Sequence, residues 1–259
     1  MFYKFKNKKV IITGHTGFKG SWLTLWLKLL GAKIIGISLD VPTKPSHYDK
    51  LNLGKKIINI KLDIRNLKKL EKIFKKYQPD YVFHLAAQSL VKKSYTDPIE
   101  TFTTNTIGTM NVLESLKKIN KKFAAVIITS DKSYKNLEIK RGYLTLAICL
   151  YKDHKLHGEP FNFGPKHSQN KNVITLVKEM KKHWNSISWE EKKSKNDLYE
   201  SKLLKLDSTK ARKKLKWKPI MNFDETIKMT TIWYKNFFEK KQINVFDLSK
   251  NKLSITIKR

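Results

Sequence analysis

Short, nearly continuous apolar runs recur through the first half of the chain, at Val10–Thr13, Lys33–Leu39, Ile57–Leu62, Asp80–Leu85 and Phe123–Thr129. Their length and β-branched content predict buried strands. The segments between them carry the helical period instead. Leu23, Leu27 and Leu30 share one face that ends at Gly31, a helix over Leu67–Lys76 stops at Gln78-Pro79, and a longer one runs from about Pro98 to Lys118. Pro42, Pro45 and Ser46 mark a loop after the second strand. Regular β-α alternation of this kind predicts an α/β fold, a parallel sheet with helices on both sides. Right-handed crossovers make it a Rossmann-type doubly wound parallel sheet.

After Ser130 the alternation breaks down. The spacing predicts a helix over Tyr143–Lys152, a short strand at Pro160–Phe163 and an amphipathic helix over Val173–Trp184. An apolar stretch at Leu203–Asp207 and helices over Ser208–Leu215 and Phe223–Glu239 follow; the tail after Lys240 shows no pattern. The domains expected are therefore residues 1–142 for the alternating part and 143–259 for a small C-terminal lobe. There is no internal repeat or metal-ligand grouping, and most of the seven scattered histidines are expected at the surface.

The first strand runs directly into Thr13-Gly14-His15-Thr16-Gly17-Phe18-Lys19-Gly20, with a helix starting near Phe18. Strand, glycine-spaced turn and helix in that order suit a dinucleotide pyrophosphate. Gly14 permits a tight turn, Gly17 leaves room for phosphates, and Gly20 lets the helix lie close to the sheet. The helix N-terminus then offers amide N–H groups and the positive end of its dipole to the anion. Asp40, at the end of the second strand, suits the adenine ribose hydroxyls and repels a 2′-phosphate, which favours NAD; Lys44 is the nearby counter-charge, and a plain loop aspartate is the other reading. Asp63 ends the third strand, where it either meets the adenine amino group or caps the next helix. The small Ala86 and Ala87 let the fourth strand end lie against the cofactor, or simply serve helix packing.

Charge changes this picture little. The formal net charge is +32, which invites nucleic-acid binding, yet only four of 54 basic residues are arginine and the lysines spread along the whole chain. Solvated lysine faces are expected, with no nucleic-acid partner, although the field would attract an anionic nucleotide. A single cysteine, Cys149, allows no intrachain disulfide and suits a reducing cytoplasm. No apolar run is long enough for a signal-peptide core or a bilayer span, so a soluble protein without a membrane partner is expected.

Thr129-Ser130-Asp131-Lys132-Ser133-Tyr134 closes the fifth strand, where open α/β sheets place ligand chemistry. A hydroxyl, a carboxylate and an amine in succession can bind a sugar hydroxyl and move protons, although such a run is often only a polar loop. With the glycine turn, Phe83-His84-Leu85-Ala86-Ala87-Gln88-Ser89-Leu90-Val91, Ser94-Tyr95-Thr96-Asp97-Pro98, Asn105-Thr106-Ile107-Gly108-Thr109, Phe161-Asn162-Phe163-Gly164-Pro165 and Trp217-Lys218-Pro219, the chain resembles the extended short-chain dehydrogenase/reductases. Within that NAD-dependent epimerase/dehydratase family it is most similar to the nucleotide-sugar 4,6-dehydratases that act on CDP-glucose. The resemblance implies a lyase in nucleotide-sugar and O-antigen or lipopolysaccharide synthesis, in which NAD takes a hydride from the sugar and later returns it. It implies Gly14, Thr16, Gly17, Phe18, Lys19, Gly20, Asp40, Asp63, Ile64, Ala86, Ala87, Asn105 and Thr129 at the cofactor. Ser130 would hydrogen-bond the sugar C4 oxygen, Asp131 would protonate the leaving hydroxyl, and Lys132 would stand at the base position.

One departure matters. The family's oxidation step uses a Tyr-x-x-x-Lys pair, in which the lysine lowers the tyrosine pKa. Here only Tyr151 and Lys155 have that spacing, in a segment that resembles a helix well beyond the family's catalytic one. A block missing between about Arg141 and Tyr143 accounts for this, so the C-terminal lobe is expected to be truncated and the first domain to lack its last strands and catalytic helix. The loss would also uncover sheet edge and apolar surface. Little or no dehydratase activity is expected, and a non-catalytic NAD-binding remnant or partner subunit is the alternative. Family members pair through helices flanking the sheet, so Pro98–Lys118 is the expected face of a homodimer.

Overall fold

A computed structural model describes residues 2–129, 137–164, 171–190, 206–239 and 244–258. Two compact units emerge, one made of Met1–Asp131 with Tyr143–Gly158 and the other of Lys132–Gly142 with Glu159–Arg259. No helix among the described residues is long and apolar enough to cross a membrane.

The first unit holds strands β1 (Lys9–Thr13), β2 (Lys33–Ser38), β3 (Ile58–Lys61), β4 (Tyr81–His84) and β5 (Ala124–Ile127). All pair in parallel, in the order β3-β2-β1-β4-β5. The order reverses at β1, whose neighbours are β2 and β4, and open α/β sheets place their ligand crevice outside the carboxyl ends of the strands at such a reversal. Register aligns Thr13 with Ile37 on one side and His84 on the other. Ser38 faces Lys61 in the same edge row.

Alternation along the strands builds two cores. Ile11, Ile35, Ile37 and Val82 join Leu70 and Phe74 of α3 (Leu67–Tyr77) and the buried Val112 in one cluster. Val10, Ile12, Ile34 and Phe83 point the other way and are equally buried. Helix α1 (Phe18–Leu29) is enclosed continuously from Gly20 to Leu27, which explains why Trp22 and Trp26 fit within it. Short α2 (His47–Lys50) packs against it. Beyond α4 (Val91–Thr96), a long helix is assembled from α5 (Pro98–Phe102), a π-helical turn (Thr103–Ile107) and α6 (Gly108–Leu116). Val112 belongs to this last segment.

Helix α7 (Leu137–Lys152) begins before the expected Tyr143. Its Tyr143–Lys152 portion goes with the sheet unit, where the Tyr151 ring packs 5.2 Å from Tyr81 at the start of β4. The second unit carries α8 (Val173–His183), α9 (Thr209–Leu215), α10 (Phe223–Glu239) and α11 (Val245–Lys258). Pro160–Phe163 is irregular, not the expected strand, because Phe163 covers Gly142 and meets the Trp217 ring at 5.1 Å instead of pairing at an edge. Of Leu203–Asp207, residues 203–205 lie outside the described residues, and 206 and 207 have no regular structure. Three histidines, His15, His47 and His84, are buried, each tied into the turn region described next, whereas His154 and His157 are exposed.

Candidate functional site

The polypeptide leaves β1 through Gly14, whose φ of +73° favours glycine. A Cβ there would lie 2.7 Å from the Ala86 nitrogen, so the end of β4 closes against bare backbone. A Cβ on Gly20 would overlap the Gly14 carbonyl oxygen, which fixes how closely α1 approaches the turn. Gly17 is different. Its backbone is extended (φ −66°, ψ 166°), and a Cβ would meet only the Gly14 oxygen, at 3.4 Å. Neither backbone strain nor packing demands glycine at 17. Gly17 is also the N-cap of α1 and supplies no side-chain cap, and Phe18 and Lys19, half-buried, form the first helical turn.

Buried histidines hold this edge. The Thr13 hydroxyl oxygen accepts from the Leu85 and Ala86 amides at 3.2 and 3.3 Å, so its own proton goes to His84 Nδ1 at 2.6 Å. Nε2–H of His84 then donates to Thr109 on α6 at 3.0 Å. Burial pushes His84 down to about 4, which keeps the ring neutral. On the other side, His15 lies across Gly36 of β2, where a side chain would collide with its ring. His15 is bonded to Ser38 and Asn59, each at 2.8 Å, and burial lowers its pKa. The third, His47, stacks on Trp22 at 4.4 Å and bonds the Ser21 hydroxyl at 2.8 Å, bracing the first turn of α1.

The remaining expected residues spread along the same edge. Thr16 is buried, and its hydroxyl donates to the Asp40 carbonyl at 2.6 Å, tying the end of β2 to the turn. The Asp40 carboxylate accepts from Lys61 Nζ at 2.7 Å. Asp63 is gripped by the Arg65 guanidinium at 2.6 and 2.9 Å, which lowers its pKa. Ile64 points into the core beneath Gly108, and its carbonyl accepts from Asn111. Ala86 is half-buried beside Gly14, whereas Ala87 and Thr129 are exposed at the ends of β4 and β5. Asn105, on the π-helical turn, exchanges two bonds with the Gln88 backbone, at 2.8 and 2.9 Å, and clamps the loop after β4. Ser130, Asp131 and Lys132 lie outside the described residues.

Tyr151 and Lys155 stand elsewhere. Lys8, just before β1, and Lys122, just before β5, place their ammonium groups 5.8 and 5.2 Å from the centre of the Tyr151 ring. These residues mark the amino end of the sheet. Ala86 is five residues along from Tyr81, roughly 16 Å at the usual strand rise. Lys155 sits in a separate short turn, with its amide donating to Asp153. The structure therefore keeps Tyr151 away from the carboxyl end of the sheet. Sequence reasoning overlooked Lys61, His84 and Gln88; the signal for Lys61 was its place at the end of a strand neighbouring the one that leads to Asp40.

Fold, strand order and turn together define a Rossmann-type α/β protein. The family model described as GDP-mannose 4,6 dehydratase matches residues 11–140, half of the chain, and the chain belongs to that family. It is 47% identical over 138 residues to CDP-glucose 4,6-dehydratase of Salmonella typhimurium, covering 53% of this chain and 38% of that protein. Against GDP-mannose 4,6-dehydratase of Vibrio cholerae the identity is 36% over 119 residues, covering 43% and 32%. The chain thus spans well under half the length of these curated relatives. Among solved structures, UDP-glucose 4-epimerase of Thermus thermophilus, a complex with NAD, superposes with a TM-score of 0.61 at 17% identity, covering 86% of this chain and 98% of that one. That likeness is one of fold.

Proposed function

We propose that this chain is a CDP-glucose 4,6-dehydratase-like protein that binds NAD at the crevice over β1, and that its dehydratase turnover is impaired. The single observation carrying the NAD reading is Gly17, a glycine demanded by neither φ nor packing and set between two that are. Relatives acting on nucleotide sugars and an epimerase solved with NAD support the same reading.

NAD, when bound, supplies a hydride acceptor that becomes the donor later in the cycle. The chain's own part is to receive the pyrophosphate on the amides of the glycine turn, with the α1 dipole behind it. Asp40, anchored by Thr16, offers its carboxylate to ribose hydroxyls. Asn105 acts indirectly by fixing the Gln88 loop, and His84 by fixing Thr13 and Ala86. By resemblance, Ser130 holds the sugar oxygen, Asp131 protonates the departing hydroxyl and Lys132 stands at the base position.

Impairment rests on Tyr151 and Lys155, the one pair with the required spacing, because Tyr151 lies at the amino end of the sheet. We infer that a block between about Arg141 and Tyr143 is missing, along with the general base that activates the sugar hydroxyl. Losing such a base costs on the order of a hundred- to ten-thousand-fold in rate. A non-catalytic NAD-binding subunit is the second reading, favoured by the same displacement. Calorimetry with NAD, followed by an assay for the 4-keto product from CDP-glucose, tests both. Binding without turnover is expected; ready turnover would overturn the impairment, and no heat with NAD would overturn the cofactor reading.

The pattern on the long helix supports pairing of two copies. Asn111 and Ser115 face inward, while Ile99, Phe102, Met110 and Leu113 face solvent, with Ile99 76% exposed. The helix buries Val112 in the core and still leaves this apolar stripe outward, which suits a homodimer.

A further inference from the structure

The two carboxylates that the sequence places at the adenosine end of the crevice are both neutralised by cations of this chain. Arg65 holds Asp63 through two guanidinium nitrogens, with its own amide donating to the same carboxylate at 2.8 Å. Lys61 reaches Asp40 from the last residue of β3, in register with Ser38 at the end of β2. Asp40 cannot retreat from the turn, because its carbonyl is held by the Thr16 hydroxyl at 2.6 Å. Lys61 is 71% and Asp40 68% exposed at the side chain, so this ion pair stays wet and exchangeable. The rim expected to repel a 2′-phosphate is therefore electrically balanced, with a mobile ammonium beside the carboxylate that gives the usual discrimination.

We propose that Lys61 is a cofactor-selectivity residue, whose ammonium, standing beside Asp40, lets the crevice accept NADP as well as NAD. This rests on the reading that the crevice binds a nicotinamide dinucleotide. With NAD, the Asp40 carboxylate serves the ribose hydroxyls and Lys61 swings to solvent. With NADP, Lys61 turns to the 2′-phosphate and offsets its repulsion by Asp40. An ammonium within about 4 Å of a doubly charged phosphate in a wet, salt-screened site is worth about five- to twentyfold in affinity.

The test is calorimetry of the full-length chain with NAD and with NADP, for the wild type, Lys61→Met and Lys61→Arg. Lys61 is exposed, so circular dichroism should show the variants folded like the parent. The wild type is expected to bind NADP within about tenfold of NAD. Lys61→Met should weaken NADP about five- to twentyfold while leaving NAD unchanged or tighter, and Lys61→Arg should restore NADP. Wild-type NADP affinity should also fall more steeply with salt than NAD affinity. If NAD binds but the wild type rejects NADP by about a hundredfold or more, or Lys61→Met leaves the NADP-to-NAD ratio unchanged, the assignment to Lys61 fails alone. If neither nucleotide binds, the cofactor reading falls with it.

Discussion

His84 shows how a residue with no direct claim on a ligand can govern the site. Its ring joins the end of β1, the β4 loop and α6, and it stays neutral because burial pushes it from 6.5 to about 4. An unfolded chain binds that proton more readily, so the stabilisation is fully present above about pH 6.5. It falls away as the pH drops towards 4, by on the order of 3 kcal/mol, with His15 adding an effect of the same sign. Thermal unfolding followed from pH 7 to pH 4 should show this decline, and His84→Gln should flatten it; an unchanged slope would refute the linkage. The three turn glycines give a second residue-scale prediction. Gly20→Ala should destabilise by about 1–3 kcal/mol or more, since its Cβ has no space against Gly14. Gly17→Ala should leave stability within about 1 kcal/mol, because its φ and surroundings tolerate a methyl group. The same substitution should cost most of the NAD affinity. Urea titration and calorimetry on the two variants would separate these effects.

Helices and strands differ in how openly they announce themselves. Helix α10 has the bounds expected from its pattern because its start is locally encoded. The Asn222 side chain accepts from the Glu225 amide at 2.8 Å, while Glu225 reaches back to the Asn222 amide at 3.0 Å. Asn222→Ala should cost about 0.5–2 kcal/mol, read as a lower urea midpoint, and no loss would mean that the cap is dispensable. Helix α11 was overlooked although Asn244 caps it similarly, accepting from the Phe246 amide at 3.0 Å. Its apolar positions are sparse, and it is held in place by long-range partners such as the Trp233 indole on Ser249 at 3.1 Å. Pro160–Phe163 fails in the opposite direction. Its local pattern suits a strand, but a strand needs an edge to pair with, and Phe163 turns to Gly142 and Trp217 instead. The π-helical turn at Thr103–Ile107 has no sequence signal we recognise, yet it carries Asn105 on the Gln88 clamp. Asn105→Ala should loosen the loop after β4, visible as faster amide exchange at Gln88.

For the molecule as a whole, the outward apolar stripe on the long helix bears on assembly. If the proposed pairing is right, Phe102→Glu with Met110→Glu should convert a dimer into a monomer in sedimentation velocity without altering the circular dichroism spectrum, since both side chains are exposed. A wild type that sediments as a monomer would end that proposal. The strands themselves and the turn beside β1 were legible in the sequence because apolar runs, glycine spacing and helix stops act over a few neighbouring residues. The positions of Gly14, Gly20 and Asp40 along the chain sufficed to place them at the carboxyl edge of the sheet, where they lie. Only the tertiary structure set Lys61 on Asp40, buried His15, His47 and His84, and put Tyr151 at the opposite end from Ala86. Those facts depend on which strands lie side by side and which face a helix turns inward. Such choices are made by packing between residues remote in the chain, where no local spacing records them.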